Sequence, residues 1–170
     1  GGLIYAPQVN GGMCVVGERG KGVFVMEGTE NTVRRAQVSG LEFKQSALFV
    51  GTDFIWQPRF NTFINKAAQG ALVARGIGSC ALGLACVAAG KVGAIIQPVQ
   101  KPWDWFAGYP LVEEAGGKFQ FYHYRDGSIV LLDKPDLFAY SSLKPSVGFI
   151  AGNPKIVDRL TELLVRNYTA

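Results

Sequence analysis

A chain of 170 residues, 48% of them hydrophobic and only 18% charged, has enough apolar side chains for a packed core, which excludes an intrinsically disordered protein. The net charge of +4 is dispersed, and the densest basic run is Arg34-Arg35. Because nucleic-acid-binding proteins usually carry a basic stripe with interleaved aromatic residues, we expect no nucleic-acid partner. The three cysteines, Cys14, Cys80 and Cys86, lack metal-ligand spacing and are typical of reduced thiols in a cytoplasmic protein.

The sequence also argues against a membrane protein. No apolar run reaches the roughly 18 residues that a membrane-spanning helix needs, and no signal peptide is visible. The first residues, "GGLIYAP", lack a methionine and enter a strand-like segment at once. We therefore expect a further segment upstream of them.

Residues 1–45 predict part of an antiparallel sheet. "GGLIYAP" and "MCVVGERGKGVFVMEG" alternate like strands, and the glycine-rich residues 19–22 predict a hairpin turn. "ENTVRRAQVSG" is polar and predicts a connector or an edge strand. These residues form the first of two parts into which we divide the chain.

Residues 46–170 form the second part, in which strand and helix patterns alternate, and this alternation predicts an α/β layer with helices over a mixed sheet. The predicted strands are residues 46–51, 73–78, 92–98, 118–124, 128–133 and 147–153. The predicted helices are residues 59–73, 79–90, 104–114 and 154–168, the last of them capped by Asn153.

The segment "GIGSCA" (residues 76–81) matches the G-x-G-x-x-A fingerprint of dinucleotide-binding domains. The acid expected about 20 residues later is missing, and the strand there carries Gln97. Ser79 is either a simple N-cap, or the helix start at Gly78 and Ser79 holds a hydroxyl or an anionic group through its backbone amides. Asp53 follows a buried strand and is either a turn residue or a ligand contact.

The segment "KPWDW" (residues 101–105) places one carboxylate, Asp104, between two tryptophans. As an N-cap it would accept hydrogen bonds from backbone amides two or three residues later. A carboxylate shielded by Trp103 and Trp105 would instead favour a cation, and magnesium would need further ligands. Glu113 and Glu114 lie at the far end of the predicted helix, where we expect a solvated face.

At these residues the sequence is recognisable. "GSCALGLACVAAGKVGAIIQPVQKPWDWFAGYPLVEEAGGKF" resembles the C-terminal signature of the inositol monophosphatase family, a W-D-x-A-A-G motif followed by E-A-G-G. The flanking strands and the last helix are similar as well. The resemblance implies a layered αβαβα fold, in which residues 1–45 complete the first antiparallel sheet and residues 46–170 form the C-terminal α/β half. It also implies a magnesium-dependent, commonly lithium-sensitive hydrolase of small phosphate monoesters, and a homodimer.

The resemblance carries roles to individual residues. Asp104 matches the metal-binding aspartate of the W-D motif. Gly78, Ser79 and Cys80 match the helix start that contacts the hydroxyl side of the substrate. Gln97 occupies the position where inositol-specific members carry a substrate-binding glutamate, which leaves the natural substrate open.

The family's other metal carboxylates, a glutamate and a D-P-x-D-G-T segment, have no counterpart in this sequence. We therefore expect these residues to be the C-terminal part of a phosphatase whose N-terminal segment supplies the remaining ligands, and we expect the 170-residue chain alone to be inactive. Two alternatives stay open. One is a truncated, non-catalytic relative that acts as a dimerising or scaffold module, and the other is a nucleotide-binding domain that uses "GIGSCA".

Overall fold

The computed structural model describes residues 1–28, 32–134 and 147–168, so Glu30 and Asn31 of the predicted connector lie outside the described residues. Those residues form ten strands and five α-helices. The strands are β1 (Gly2–Ala6), β2 (Met13–Glu18), β3 (Gly22–Glu27), β4 (Thr32–Ala36), β5 (Ala47–Gly51), β6 (Val73–Ile77), β7 (Ala94–Gln100), β8 (Lys118–Arg125), β9 (Ser128–Leu132) and β10 (Val147–Gly152). The helices are α1 (Asn61–Gly70), α2 (Cys80–Ala88), α3 (Pro102–Trp105), α4 (Gly108–Glu114) and α5 (Pro154–Tyr168).

The first four strands form an antiparallel sheet in the order β1-β2-β3-β4. The predicted hairpin between β2 and β3 is confirmed, because Lys21 N donates to Glu18 O at 2.9 Å across the turn, and β4 is the predicted edge strand. Residues on the inner face are buried, whereas the outer face is also apolar but exposed. The exposed residues are Leu3, Tyr5, Val16, Phe24, Met26 and Val33.

The other six strands form a mixed sheet in the order β6-β5-β7-β10-β8-β9. Strand β5 runs parallel to both β6 and β7, and the remaining neighbours are antiparallel. The predicted hairpin between β8 and β9 is confirmed, with Asp126 and Gly127 both at positive φ. Because β5, β6 and β7 are parallel neighbours, their carboxyl ends meet at one edge of the sheet.

Helices α2 and α4 contact both sheets and fill the space between them, whereas α1 and α5 cover the opposite face of the six-stranded sheet. The core between the sheets includes Val15, Leu84 and Phe121, and the second core includes Leu48 and Leu160. Each fully buried side chain of this kind contributes about 1.5–3 kcal/mol. The predicted α/β class is confirmed. The described layers are the four-stranded sheet, α2 with α4, the six-stranded sheet, and α1 with α5. This β-α-β-α order matches the second to fifth layers of the expected αβαβα fold.

The prediction of one continuous helix over residues 104–114 is wrong. Helix α3 ends at Trp105, and α4 begins at Gly108 with Pro110 as its third residue. In a continuous helix the Pro110 ring would collide with the Phe106 carbonyl, four residues earlier. In the first turn of α4 a proline is tolerated, since the backbone N–H that it lacks would have no intrahelical partner there.

The last helix begins as predicted. Asn153 Oδ1 accepts from Lys155 N at 2.9 Å and from Ile156 N at 3.4 Å, so Asn153 caps α5. Its Nδ2 donates to Ser39 O at 2.6 Å and ties this helix start to the segment after β4. Among the helices in the described ranges, none is long and apolar enough to cross a bilayer.

Candidate active site at the carboxyl ends of three parallel strands

The residues selected from the sequence gather at the edge where β5, β6 and β7 end. A 3-10 helix, Thr52–Trp56, follows β5 and carries Asp53. Gly78 and Ser79 follow β6 and lead into α2, while Gln97 lies within β7 and α3 follows that strand with Asp104. In parallel α/β sheets, ligands bind at this edge, so the topology brings the predicted positions to one place although 51 residues separate Asp53 from Asp104.

The start of α2 has the N-cap that one of the two alternatives for Ser79 predicted. Ser79 has extended backbone angles, and its Oγ accepts from Leu82 N at 3.3 Å. Gly78 and Ser79 are exposed, and a Cβ added to Gly78 would lie 3.9 Å from Thr52 Oγ1. The backbone at this helix start is therefore accessible from the same side as the loop after β5.

Cys80 begins α2 and is buried, with 7% of its surface exposed. Burial raises the pKa of its thiol, and the Asp104 and Asp53 carboxylates raise that pKa further. The thiol is therefore neutral at physiological pH and a poor nucleophile. Since both carboxylates act on Cys80, both lie near the α2 start.

One alternative predicted Asp104 as the N-cap of its helix. That prediction is wrong, because Asp104 is the third residue of α3. Its Oδ2 accepts from Lys101 N at 3.2 Å, so the carboxylate reaches back to the residue before the helix. The predicted shielding by two tryptophans is wrong for one of them, because Trp105 is 2% exposed but Trp103 is 64% exposed. The half-buried carboxylate of Asp104 thus retains access to solvent.

Gln97 belongs to a hydrogen-bonded chain that also includes Gln100 and Asp53. Gln100 Nε2 donates to Gln97 Oε1 at 3.2 Å and to Asp53 Oδ2 at 2.5 Å. Both glutamines are buried, while Asp53 is exposed. The Tyr122 hydroxyl also fixes this part of β7 by donating to Gln97 O at 2.9 Å.

A bulge in β7 brings the two glutamines together. Val147 pairs with Gln100 and Phe149 with Gln97, so two steps on β10 match three steps on β7. In a regular strand, residues three apart point to opposite faces, and the extra residue cancels this alternation. Sequence reasoning missed Gln100. Two buried amides in the otherwise apolar strand "AIIQPVQ" were the signal that could have identified it.

The described residues do not complete a metal centre by themselves. Among them, no three histidine, cysteine, aspartate or glutamate side chains are close enough to hold one ion. Asp104 is an oxygen donor of the type that magnesium prefers, so it fits as one ligand of a larger set. His123 lies apart on β8, where it pairs with Val130 across the hairpin, and burial lowers its pKa, with Arg125 acting in the same direction.

Comparisons with known proteins relate the sequence and the fold of this chain to one family. The model of the inositol monophosphatase family matches residues 1–165. Over 132 residues the chain is 31% identical to the inositol-1-monophosphatase of Caulobacter vibrioides, covering 76% of this chain and 49% of that protein. Over 118 residues it is 32% identical to the histidinol-phosphatase of Chlorobaculum parvum, covering 68% of this chain and 42% of that protein.

A solved structure shares the fold. The extragenic suppressor protein suhB from Bartonella henselae superposes with a TM-score of 0.71 at 26% identity, covering 95% of this chain and 55% of that one. The chain thus spans about half the length of the relatives that it matches. Because the family model covers nearly all of its residues and the strands and helices follow the same fold, the chain belongs to the inositol monophosphatase family.

Proposed function

We propose that this chain takes part in the magnesium-dependent hydrolysis of a small phosphate monoester, an inositol phosphate or a related sugar or alcohol phosphate. The observation that carries the proposal is the meeting of the α2 start, the Gln97 amide and the Asp104 carboxylate at one edge of the six-stranded sheet, in a member of this phosphatase family. The names of two relatives, an inositol-1-monophosphatase and a histidinol-phosphatase, support a phosphate ester of a small alcohol.

In this proposal Asp104 holds magnesium through its carboxylate. The hydrogen bond from Lys101 N to Oδ2 restrains the side chain, so that the ligand oxygen is oriented before the ion binds. Bound magnesium would supply Lewis-acid stabilisation of the charge that develops on phosphate and leaving oxygens. The exposed backbone at Gly78 and Ser79, together with the start of α2 at Cys80, would bind the hydroxyl side of the substrate.

We further propose that the remaining metal ligands come from another segment of the same polypeptide. Two observations support this division: the chain spans 49% and 42% of the two phosphatases named above, and the outer face of the four-stranded sheet is apolar yet exposed. An apolar face of this kind is typical of a surface that another segment covers. The family resemblance adds a homodimer, lithium sensitivity and a cytoplasmic location, and the three free cysteines are compatible with a reducing compartment.

The test is a phosphatase assay with a panel of phosphate monoesters, with and without magnesium, on this chain and on any longer form of the reading frame. We expect turnover only in the longer form and only with magnesium. Asp104→Asn should abolish that turnover and leave the circular dichroism spectrum unchanged. Asp126→Asn is the matched control, because it makes the same chemical change in the exposed β8–β9 turn, where asparagine tolerates positive φ. Wild-type turnover in Asp104→Asn would refute the metal role.

A second candidate is a non-catalytic module, and the lack of a three-ligand group among the described residues favours it. It predicts no hydrolysis by any form of the protein, with self-association or partner binding retained. Magnesium-dependent turnover in the longer form would exclude it. The nucleotide-binding alternative gains no support from the site, because β7 presents glutamines where that function needs an acid.

A further inference from the structure

The corner of the site beside β7 still contains a carboxylate, although Gln97 itself carries none. That carboxylate belongs to Asp53, on the neighbouring strand's 3-10 helix, and Gln100 connects it to the Gln97 amide. One amide nitrogen thus donates to two oxygen atoms, one from each side chain. The acidic group at this corner therefore comes from the 3-10 helix after β5 and not from β7.

The chain of hydrogen bonds holds Asp53 in place. Gln97 is 1% exposed and Gln100 is 7% exposed, so both amides lose water on folding and need protein partners. The bond from Gln100 Nε2 to Asp53 Oδ2 is charge-assisted, and bonds of this class are shorter and stronger than neutral ones. A buried amide thus restrains an exposed carboxylate, and this restraint lowers the entropy that Asp53 would lose on binding a ligand.

A cavity lies beside the 3-10 helix that carries Asp53, although Asp53 itself does not line it. It has a volume of about 350 Å³, and the two neighbours of Asp53 along the chain, Thr52 and Phe54, both line it, as do Arg75 and Gly76 from β6. Thr52 also lies beside Gly78, where the site reaches the start of α2. Thr52, the residue before Asp53, therefore connects the loop after β5 to the helix start, where the hydroxyl side of the substrate is proposed to bind.

We propose that Asp53 is a specificity-determining residue, which accepts a hydrogen bond from a hydroxyl or ammonium group on the alcohol part of the substrate, and that Gln100 is its positioning residue. This inference rests on the proposed function, because it concerns the same site. An ionised carboxylate is a pure acceptor, so it selects alcohols that carry a hydrogen-bond donor. Alcohols without a second donor would desolvate Asp53 and leave its Oδ1 without a partner from the substrate, and would bind less well.

The test measures binding of alcohols without phosphate or metal, so it does not depend on turnover. The isotope-labelled chain is titrated with inositol, a neutral polyol, and with histidinol, which carries an ammonium group, and backbone amide shifts are followed by NMR. We expect shifts at Thr52, Asp53, Gly76 and Gly78. Asp53→Asn should weaken histidinol binding by roughly tenfold or more, since a charge-assisted bond is lost. Inositol binding should weaken less, because the carbonyl oxygen of the substituted side chain still accepts from a hydroxyl. The larger loss identifies which of the two donor types Asp53 recognises.

Two controls keep the inference falsifiable. Asp126→Asn should leave both titrations unchanged. Gln100→Leu should weaken alcohol binding in the wild-type background but cause no further loss of binding in the Asp53→Asn background. A purely structural effect of Gln100→Leu would weaken binding in both backgrounds. Shifts that are absent for both alcohols, or titrations of Asp53→Asn that match those of the wild type, would overturn the inference.

The outcome is distinguishable from that of the proposed function. If the longer form hydrolyses phosphate esters while Asp53→Asn leaves the ratio of kcat/KM between inositol phosphate and histidinol phosphate unchanged, the phosphatase proposal stands and this inference fails. If the alcohols bind at Asp53 but no form of the protein shows turnover, the binding site stands and the catalytic proposal fails.

Discussion

Gly51, the last residue of β5, lies directly against the Gln97 amide. A Cβ built on Gly51 would be 1.8 Å from Gln97 Oε1 and 2.6 Å from its amide carbon. Gly51 has φ −60° and ψ 135°, which any residue can adopt, so the need for glycine here is steric and not conformational. This glycine allows Gln97 to accept from Gln100 and thereby sets the geometry of the whole hydrogen-bonded chain.

Gly51→Ala is expected to displace the Gln97 side chain and to lower the free energy of unfolding by about 1–3 kcal/mol, the usual cost of overpacking a core. Urea denaturation measures this change. Gly40→Ala is the matched control, because among the described residues no atom beyond the chain neighbours of Gly40 lies within 4 Å of a Cβ built there. The change at Gly40 should be neutral or slightly stabilising. Equal stability of the two variants would show that the Gln97 side chain can move away from an added Cβ without lowering the free energy of unfolding. Displacement of Gln97 should also displace Gln100, which is hydrogen-bonded to it. The Gly51→Ala variant should therefore lose the amide shift of Asp53 on titration with histidinol.

Single residues of the site were predictable only where their signal is local. Ser79 before a helix of small residues predicts an N-cap, and the structure confirms it. The Asp53–Gln100 bond joins residues 47 positions apart and depends on both strand order and a bulge. Neither feature leaves a local pattern in the sequence, so the composition of β7 could at most identify its two buried amides as unusual.

At the scale of secondary-structure elements, Glu114 joins α4 to the β2–β3 hairpin. Its two carboxylate oxygens accept from Gly20 N at 3.0 Å and from Gly22 N at 2.9 Å. The prediction of a solvated face did not include these bonds, because the partners of Glu114 lie more than 90 positions earlier in the chain. The side chain keeps part of its exposure beside them. The strands and both hairpins, in contrast, were predictable from alternation and turn residues, which are local.

The Glu114 contact predicts a pH dependence of stability. The Gly20 and Gly22 amides lower the pKa of Glu114 below 4.5, and Arg35 and Arg19 act in the same direction. A lowered pKa in the folded state means that this stabilisation is present above about pH 4.5 and is lost as the pH falls through the folded-state pKa. Glu114→Gln should thus have a lower Tm than the wild type at pH 7, and the difference should shrink as the pH falls below about 4.5.

Thermal unfolding monitored by circular dichroism at several pH values measures this effect. Glu162→Gln is the control, since Glu162 is exposed and pairs only loosely with Arg166, at 3.8 Å. It should show little change in Tm at any pH. A Tm difference for Glu114→Gln that stays constant between neutral pH and the acidic end of the series would show that its charge does not stabilise the hairpin contact.

At the scale of the whole molecule, the four-stranded sheet carries apolar side chains on both faces. The register places Leu3 beside Val16, Val16 beside Phe24, and Met26 beside Val33, so the exposed residues form one continuous patch. The segments "MCVVGE" and "GVFVME" were predicted as strands, but their near-continuous hydrophobic character is itself typical of a sheet covered on both sides. The overall α/β class followed from the alternation of elements. Among the described residues, none covers this outer face.

We expect the 170-residue chain to self-associate through this patch, because a continuous exposed apolar surface favours association in water. Sedimentation velocity over a range of protein concentrations should show an average mass that rises for the wild type and stays monomeric for the double variant Phe24→Lys and Val33→Lys. The control is Val130→Lys with Leu131→Lys, which replaces similarly exposed residues on β9 of the other sheet and should behave like the wild type. A wild-type chain that is monomeric at every concentration, or a control pair that also abolishes association, would contradict the assignment.

In a longer form whose additional segment covers the patch, wild-type self-association through this face should disappear, and the double variant should lower the stability of that form instead.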